Sequence, residues 1–284
     1  MNNFKDIIIY YLLMFPAILI GTIAMVSYGV AASIWIQNIF IWIVGTVAGS
    51  VYLIRGKESN LNKINLPVSI VFIALLAFPF WFNGLDGVHR WLTLGPIQVY
   101  IASIILPFIM IHLWKLALNN REGYVAGLIT LIACILFLHP DANQLTAFIC
   151  ASAVIMWKTV RSWMIKALSF TLTVALVILS WVFLDDLAPV PYVEQILFLV
   201  SDLGHVWFVL GVLSLILLVL PFFLSGSTIS ISLGVYFLMT IIGTFIGNFP
   251  MPIMGYGISP IVGYFIAITW YIKNKEASIS GFPK

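Results

Sequence analysis

Arg90 is the centre of the polar segment best suited to chemistry, which reads Asp-Gly-Val-His-Arg-Trp-Leu-Thr-Leu-Gly-Pro over positions 86–96. Asp86 and His89 precede it, in a chain that is otherwise almost entirely apolar. A guanidinium can hold a phosphate or pyrophosphate with two parallel hydrogen bonds. It can equally pair with a nearby carboxylate and fix a loop. The spacing alone favours the ion pair, and the phosphate site stays open as the alternative.

The composition predicts that membrane helices must position these residues. Of 284 residues, 62% are hydrophobic and 8% are charged, and the mean hydropathy is +1.12. Too few polar residues remain to cover the surface of a soluble domain. The sequence therefore predicts an all-α, polytopic integral membrane protein with a single domain over residues 1–284. Cys134 and Cys150 lie inside apolar runs, which indicates small core residues rather than a disulfide or a metal site.

Ten apolar runs predict about ten transmembrane helices. Their predicted bounds are Ile7–Val30, Ser33–Ile54, Leu66–Phe82, Ile97–Leu116, Gly123–Leu138, Ala142–Trp157, Ala167–Leu184, Leu203–Leu224, Ile229–Ile246 and Ile261–Ile272. The first run is too long for a signal-peptide core, so we interpret it as a retained span. The fifth and sixth runs are short, and a broken hairpin that does not fully cross is the alternative for that pair.

The basic residues predict the orientation of the chain. With ten spans and the amino terminus inside, twelve of the thirteen Lys and Arg residues fall on the inner side, as the positive-inside rule requires. Arg90 is then the one basic residue outside, and both termini are predicted to be cytoplasmic. Topology accounts for the net charge of +3, which therefore says nothing about nucleic acid, and we expect no nucleic-acid partner.

The acidic residues have the opposite bias in this topology. Six of the ten fall outside, and these are Asp86, Asp141, Asp185, Asp186, Glu194 and Asp202. Titratable groups concentrated around one cation could support chemistry. The alternative is that outer loops avoid Lys and Arg, so that the remainder is acidic. Asp202 and His205 are three residues apart, which predicts that they share one helix face.

Four outer segments, taken in order, resemble the SEDS family (shape, elongation, division and sporulation), which includes FtsW, RodA and SpoVE. The segments are residues 87–96, Pro140-Asp141 with Thr146-Ala147, Pro191 through Ser201-Asp202-Leu203-Gly204, and Pro250-Met-Pro-Ile-Met-Gly-Tyr-Gly-Ile-Ser259. SEDS proteins are ten-span glycosyltransferases that polymerise peptidoglycan from lipid II. The resemblance implies a short, divergent SEDS-like protein of the bacterial plasma membrane, acting in division, cell shape or sporulation.

The resemblance also implies site residues. The candidate substrate-binding residues in the matching segments are Arg90, Trp91, Asp141, Tyr256 and Ser259, and anchoring at the membrane interface is the alternative for Tyr256. Its catalytic Asp position falls on Val193, and the neighbouring Glu194 is the first candidate for the carboxylate that accepts the acceptor's proton. Asp185 and Asp186 are the alternatives. The residues identify no cofactor, and the resemblance allows a divalent cation.

The departures from the family pattern concern the charged positions. An intramembrane Glu and Lys of the family become Ser103 and Leu106, and the large outer loop shrinks to Asp185–Gln195. Two functions follow from this mixture. One is polymerisation of a lipid II-type, undecaprenyl-linked sugar pyrophosphate at the outer leaflet. The other is a non-catalytic scaffold for a penicillin-binding-protein-type membrane partner, which the displaced carboxylate favours. A flippase or transporter ranks third, because no span carries mid-membrane charge.

Overall fold

A computed structural model describes residues 4–55, 66–95, 97–119, 121–185 and 187–279. Within these ranges the chain is almost entirely helical. The helices are α1 (Phe4–Leu12), α2 (Phe15–Ser27), α3 (Ala32–Arg55), α4 (Leu66–Ala77), α5 (Ile101–Leu118), α6 (Glu122–Leu138), α7 (Ala142–Thr159), α8 (Trp163–Val182), α9 (Ile196–Asp202), α10 (His205–Leu224), α11 (Thr228–Gly243) and α12 (Ile258–Ile279). A 3-10 turn (Phe78–Trp81) continues α4, and β1 (Trp91–Leu94) pairs antiparallel with β2 (Ile97–Tyr100).

Five of the described helical segments are long and apolar enough to cross a membrane. They are Ile7–Ser27, Ala32–Arg55, Ile101–Leu118, Trp163–Val182 and His205–Leu224, and three shorter apolar helices are Pro67–Trp81, Glu122–Leu138 and Thr228–Gly243. Each of the ten predicted apolar runs contains a helix. The prediction of an all-α, polytopic membrane protein is therefore confirmed, while the count of ten crossings and the inside position of the termini stay predictions.

Helix bounds differ from the predicted runs where local backbone chemistry interrupts them. The first run divides into α1 and α2, because Pro16 near the start of α2 has no N–H to donate to the preceding turn. The fourth run starts later than predicted, because Ile97–Tyr100 is a β-strand. Gly95, with φ of 61°, makes the tight turn of that hairpin. The spacing of apolar residues in the sequence predicts neither the division between α1 and α2 nor the strand at Ile97–Tyr100.

The described chain forms two compact units, each built from separate stretches of sequence. Unit 1 comprises Met1–Ser59, Ala188–Ser225 and Ile241–Lys284, and unit 2 comprises Asn60–Leu187 and Gly226–Thr240. The expectation of a single domain stays a prediction.

Unit 1 is organised around α3, which packs against α12 and α1, and α2, which packs against α9 and α10. Small residues allow close approach between these helices. A Cβ at Gly49 would lie 2.3 Å from the Tyr11 hydroxyl, which bonds Thr269 Oγ1 at 2.8 Å.

Unit 2 packs α6 against α7 and α8, with α5 between α4 and α7. Two hydrogen bonds between buried polar side chains and their neighbours join its helices, as an apolar environment favours. The Tyr236 hydroxyl donates to Gln144 at 2.6 Å, and the Asn143 amide donates to the Thr240 carbonyl at 3.0 Å. These bonds tie the amino-terminal part of α7 to α11 and so help to fix the residue that caps α7, Asp141.

Candidate functional site

A compact turn positions Arg90 directly before β1. The backbones of Leu85 and Val88 exchange two hydrogen bonds of 3.1 and 2.9 Å. Asp86 has φ of 48° and Gly87 has φ of 81°, so the chain reverses through the left-handed region. This reversal directs Arg90 inward, where its side chain is 2% exposed.

The Arg90 guanidinium lies in an ion-pair network within unit 2. It donates hydrogen bonds to the Pro140 carbonyl and to the Asp185 carboxylate. Its Nε lies 3.9 Å from Asp141 Oδ2, and its carbon Cζ lies 5.7 Å from the centre of the Trp91 ring. A buried cation requires such partners, because desolvation without them costs several kcal/mol or more. The geometry favours the ion-pair interpretation of Arg90 over the phosphate site.

Asp141 joins this network to helix α7. Its Oδ1 accepts the Gln144 N–H at 3.1 Å, an N-cap bond, and its other oxygen accepts the Tyr100 hydroxyl. Burial raises the pKa of the Asp141 carboxyl, against the opposing effects of the Arg90 charge and the Tyr100 hydrogen bond. Burial and the nearby Asp141 charge raise the pKa of Tyr100 in turn. Asp141 is therefore enclosed by protein groups.

His139 lies next to this network and was not singled out as a site residue from the sequence. It is fully buried, and neither ring nitrogen forms a hydrogen bond of normal geometry with the described residues. Its ring lies 4.8 Å from the Phe80 ring. Burial lowers the pKa of His139 to about 4, and the backbone of Leu76 offsets this only in part. His139 is consequently neutral at ordinary pH.

A cavity of about 410 Å³ adjoins the network in unit 2. Its lining residues are Asp86, Gly87, Val88, Pro140, Phe183, Leu184, Asp185 and Leu187. Asp185 is 13% exposed, and it accepts hydrogen bonds from Arg90 and from the Leu187 N–H, the latter at 3.2 Å. Asp185 is therefore an oriented carboxylate at the wall of a cavity. Asp186 lies outside the described residues.

Glu194, the first candidate base, lies in unit 1 and contacts its own turn. Its Oε2 accepts the Val190 N–H at 2.7 Å, while the Glu194 N–H donates to the Val190 carbonyl at 3.0 Å. The carboxylate thus caps the turn that precedes α9. The Glu194 carboxylate therefore stabilises its own turn by accepting a backbone N–H, as acidic side chains commonly do at helix starts.

Val193, which the sequence resemblance aligns with the family's catalytic position, joins a backbone contact between residues 190–194 and residues 250–257. The Val193 carbonyl accepts the Met251 N–H at 3.0 Å, and the Tyr192 carbonyl accepts the Tyr256 N–H at 2.9 Å. A Cβ on Gly255 would lie 2.4 Å from the Val193 carbonyl oxygen. Glycine is therefore required at position 255 for the two segments to meet.

Helix α3 supports this contact through two amide side chains that the sequence did not single out. Asn38 is buried, donates to the Gly255 carbonyl at 2.9 Å and accepts the Gly257 N–H at 3.2 Å. Gln37 accepts the Tyr256 hydroxyl at 3.2 Å. The signal for Asn38 was a fully polar side chain inside an apolar helix, which needs a partner within the protein.

Three further positions considered in the sequence analysis, Ser259, Ser103 and Leu106, are buried within helices. Ser259 is 2% exposed in the first turn of α12. Ser103 and Leu106 are both buried in α5, and the Ser103 hydroxyl donates to the Tyr100 carbonyl at 2.9 Å.

The prediction that Asp202 and His205 share one helix face is wrong. Helix α9 ends at Asp202, Gly204 has φ of 125°, and α10 begins at His205. The left-handed backbone at Gly204 separates two helices that the apolar pattern joins. Asp202 instead accepts the Tyr28 hydroxyl at 2.8 Å.

The described residues offer no built metal site. No group of three or more His, Cys, Asp and Glu side chains is placed to hold a metal ion within the ranges that the structure covers. The divalent cation that the family resemblance allows therefore has no defined set of ligands among the described residues.

Comparison with known proteins finds similarity to solved structures but not to family models or curated sequences. The crystal structure of rod shape determining protein RodA from Thermus thermophilus superposes with a TM-score of 0.71 and 14% identity, covering 94% of this chain and 95% of that one. A mutant of the same RodA gives 0.71 and 14%, covering 94% and 96%. The chain has a SEDS-like fold.

A third solved structure extends this SEDS-like likeness. It is described as "Structural coordination of polymerization and crosslinking by a peptidoglycan synthase complex", and its TM-score is 0.63 at 16% identity, covering 94% of this chain and 97% of that one. The resemblance found in four short outer segments is thus confirmed for the fold of nearly the whole chain.

Proposed function

We propose that this chain is a SEDS-like protein of bacterial peptidoglycan synthesis, resident in the plasma membrane. The observation that carries the proposal is the fold match over 94% of the chain to RodA, with nearly all of RodA covered in return. The reaction is polymerisation of a lipid II-type, undecaprenyl-linked sugar pyrophosphate at the outer leaflet.

Asp185 is our candidate base for that reaction. In glycosyl transfer an acceptor hydroxyl attacks the anomeric carbon of the donor sugar, and the bond to the lipid pyrophosphate breaks. The hydroxyl proton passes to a carboxylate. Asp185 lies at the wall of a cavity and is held by Arg90, whereas Glu194 caps its own turn. Glu194 is the second candidate.

Arg90 acts in this proposal by orienting Asp185 and Asp141 rather than by gripping the pyrophosphate. The Asp185 carboxylate and the Pro140 carbonyl both accept hydrogen bonds from Nη2 of this buried guanidinium, so a phosphate would have to compete with them for that nitrogen. A positioned carboxylate contributes to rate because geometry is set before the substrate arrives. Trp91, Tyr256 and Ser259 stay candidate substrate contacts.

A second function rests on a different observation, namely that an apolar residue, Val193, occupies the position of the family's catalytic acid. The family's catalytic position carries an apolar side chain, and its backbone is bonded to Met251. This favours a non-catalytic SEDS-like protein that binds a penicillin-binding-protein-type partner. A neighbour described as a peptidoglycan synthase complex supports that class of partner.

A reconstituted assay separates the two functions. Purified full-length protein in neutral detergent is incubated with fluorescently labelled lipid II, alone and with a candidate penicillin-binding-protein partner whose own transferase has been inactivated. Glycan strands on a gel support the polymerase. Partner capture without strands supports the scaffold. Absence of strands, of lipid II binding and of partner capture would overturn the proposal.

A further inference from the structure

Two lysine–tyrosine pairs lie at one end of unit 1. Near the carboxyl end of α12, the Lys273 ammonium donates to the Tyr52 hydroxyl at 3.2 Å and lies 4.8 Å from the centre of that ring. The Lys275 ammonium donates to the Tyr10 hydroxyl at 2.7 Å and lies 5.4 Å from that ring. We call Tyr10, Tyr52, Lys273 and Lys275 the lysine–tyrosine patch.

The patch combines three helices at a common end. Tyr10 comes from α1, Tyr52 from the last turn of α3, and both lysines from α12, which packs against α1 and α3. The Tyr10 ring also lies 5.5 Å from the Tyr271 ring in an edge-to-face arrangement. Two contacts between different helices hold the lysines in place, so the charges are presented at defined positions.

The chemistry of the patch is suited to an oxyanion. An ammonium has three N–H donors, and each phenol here accepts one of them, which leaves donors for a ligand. The side chain of Lys275 is exposed, and Lys273 is half-buried. Arg55, exposed in the last turn of α3, adds a cation on the same helix as Tyr52. Tyrosine and lysine together are typical of the interfacial level of a bilayer.

The surrounding sequence keeps the local charge positive. Within the described residues, the last two turns of α3 and α12 contain three basic residues, Arg55, Lys273 and Lys275, and one acidic residue, Glu276. Anionic phospholipids attract such basic groups by about 1 kcal/mol for each lysine or arginine near the surface.

We propose that the lysine–tyrosine patch binds anionic phospholipid headgroups, with each ammonium group, already bonded to its tyrosine, donating a further hydrogen bond to a phosphodiester oxygen. The inference concerns unit 1 alone and is independent of the proposed function. A phospholipid is favoured over a free phosphate because the patch lies at the ends of apolar helices, where acyl chains can pack.

Native mass spectrometry of the detergent-purified chain tests the assignment. Dioleoyl phosphatidylglycerol, dioleoyl phosphatidylcholine and inorganic phosphate are titrated separately, and bound ligand is counted. Wild type is compared with Lys273→Gln, Lys275→Gln and the double variant. Lys166→Gln in unit 2 is the matched control, because Lys166 also lies over an aromatic ring, that of Trp157 at 5.2 Å.

Each lysine substitution should weaken phosphatidylglycerol binding about fivefold, the equivalent of about 1 kcal/mol per charge. The double variant should lose about twenty- to thirtyfold, since separate charges act almost additively. Lys166→Gln should bind as wild type, and phosphatidylcholine should bind weakly to all.

Three results would overturn the assignment. They are equal binding of both lipids, an unchanged double variant, and displacement of phosphatidylglycerol by an equal concentration of phosphate. A melting temperature measured alongside distinguishes lost binding from lost folding, because a substitution that only removes a ligand contact leaves the melting temperature close to that of wild type.

Discussion

The Arg90 network of unit 2 and the Val193–Gly255 contact of unit 1 both join distant segments of the chain, but by different means. In unit 2, charged side chains meet around one buried guanidinium, and a carboxylate faces a cavity. In unit 1, backbone amides and carbonyls make the join, with Asn38 completing it. The first arrangement presents a carboxylate to a cavity, whereas the second consists of backbone groups and a neutral amide.

In the proposed function, Asp185 of unit 2 takes the role of the acid that the family resemblance places at Val193. The family position that should carry the acid falls in the neutral contact, while the cavity carboxylate falls beside Arg90. A divergent chain can thus keep the backbone arrangement of a site after losing its acid. Asp185 and Arg90 are consequently the residues whose substitution is most informative.

Substitution of the two candidate bases should have the largest effect. In a polymerising protein, Asp185→Asn should lower the rate of strand formation about a hundredfold to ten-thousandfold, the usual loss for a positioned base. Glu194→Gln should leave that rate close to wild type and loosen only the turn at Val190. Strand formation from labelled lipid II is the measurement. An active Asp185→Asn protein with an inactive Glu194→Gln protein would move the chemistry to unit 1.

Removal of the buried cation should destabilise unit 2 strongly. Arg90→Ala leaves Asp141 and Asp185 without their partner, and the free energy of unfolding should fall by about 3–5 kcal/mol. Chemical denaturation in detergent micelles measures this change. Lys166→Ala, a partly exposed cation in the same unit, should cost about 1 kcal/mol or less. A similar decrease in the free energy of unfolding for both variants would mean that the buried ion pairs of Arg90 contribute no more to stability than a partly exposed cation does.

Acid sensitivity should originate in unit 2 at His139. Its pKa of about 4 when folded lies below the ordinary value of 6.5, so the folded protein binds fewer protons than the unfolded chain between these values. Stability is therefore present above pH 6.5 and is lost as the pH falls towards 4, by about 3 kcal/mol in total. Asp141, with its raised pKa, acts in the opposite direction, so the difference from His139→Gln isolates the histidine.

The unfolding free energy of wild type and His139→Gln at several pH values gives that difference. It should grow in favour of wild type as the pH rises from 4 to 6.5 and then level off. His205→Gln, at an exposed position, is the control and should follow the wild-type profile. Parallel profiles for wild type and His139→Gln would show that His139 is solvated.

Disruption of the backbone contact in unit 1 should have the smallest of these effects. The Gly255→Ala methyl group would meet the Val193 oxygen at 2.4 Å and the Met251 oxygen at 2.9 Å, both backbone atoms. We expect a loss of about 1–3 kcal/mol in unfolding free energy, as for other overpacked positions. Gly257→Ala is the matched control, because its nearest contact would be a Pro260 side-chain atom at 3.4 Å. Equal stability of the two variants would mean that the segments do not touch.

Local sequence patterns were sufficient for most of the helices but not for their ends. Apolar composition predicts membrane helices because the bilayer demands internal hydrogen bonds and apolar side chains at every span. Pro16, Gly95 and Gly204 mark the places where helices divide or a hairpin forms. Their effect depends on the backbone angles that their neighbours impose, and a count of apolar residues does not contain those angles.

The sequence by itself determined the class of the protein, the number of apolar runs and the outer segments that carry the family resemblance. The tertiary structure decided the roles of Arg90, Val193 and Asn38. Arg90 contacts Pro140 and Asp185, which are 50 and 95 residues away in the chain, and Asn38 contacts Gly255 at a separation of 217. Side-chain type specifies which bonds a residue can form, but only packing brings the partners together and removes the water that would otherwise satisfy them.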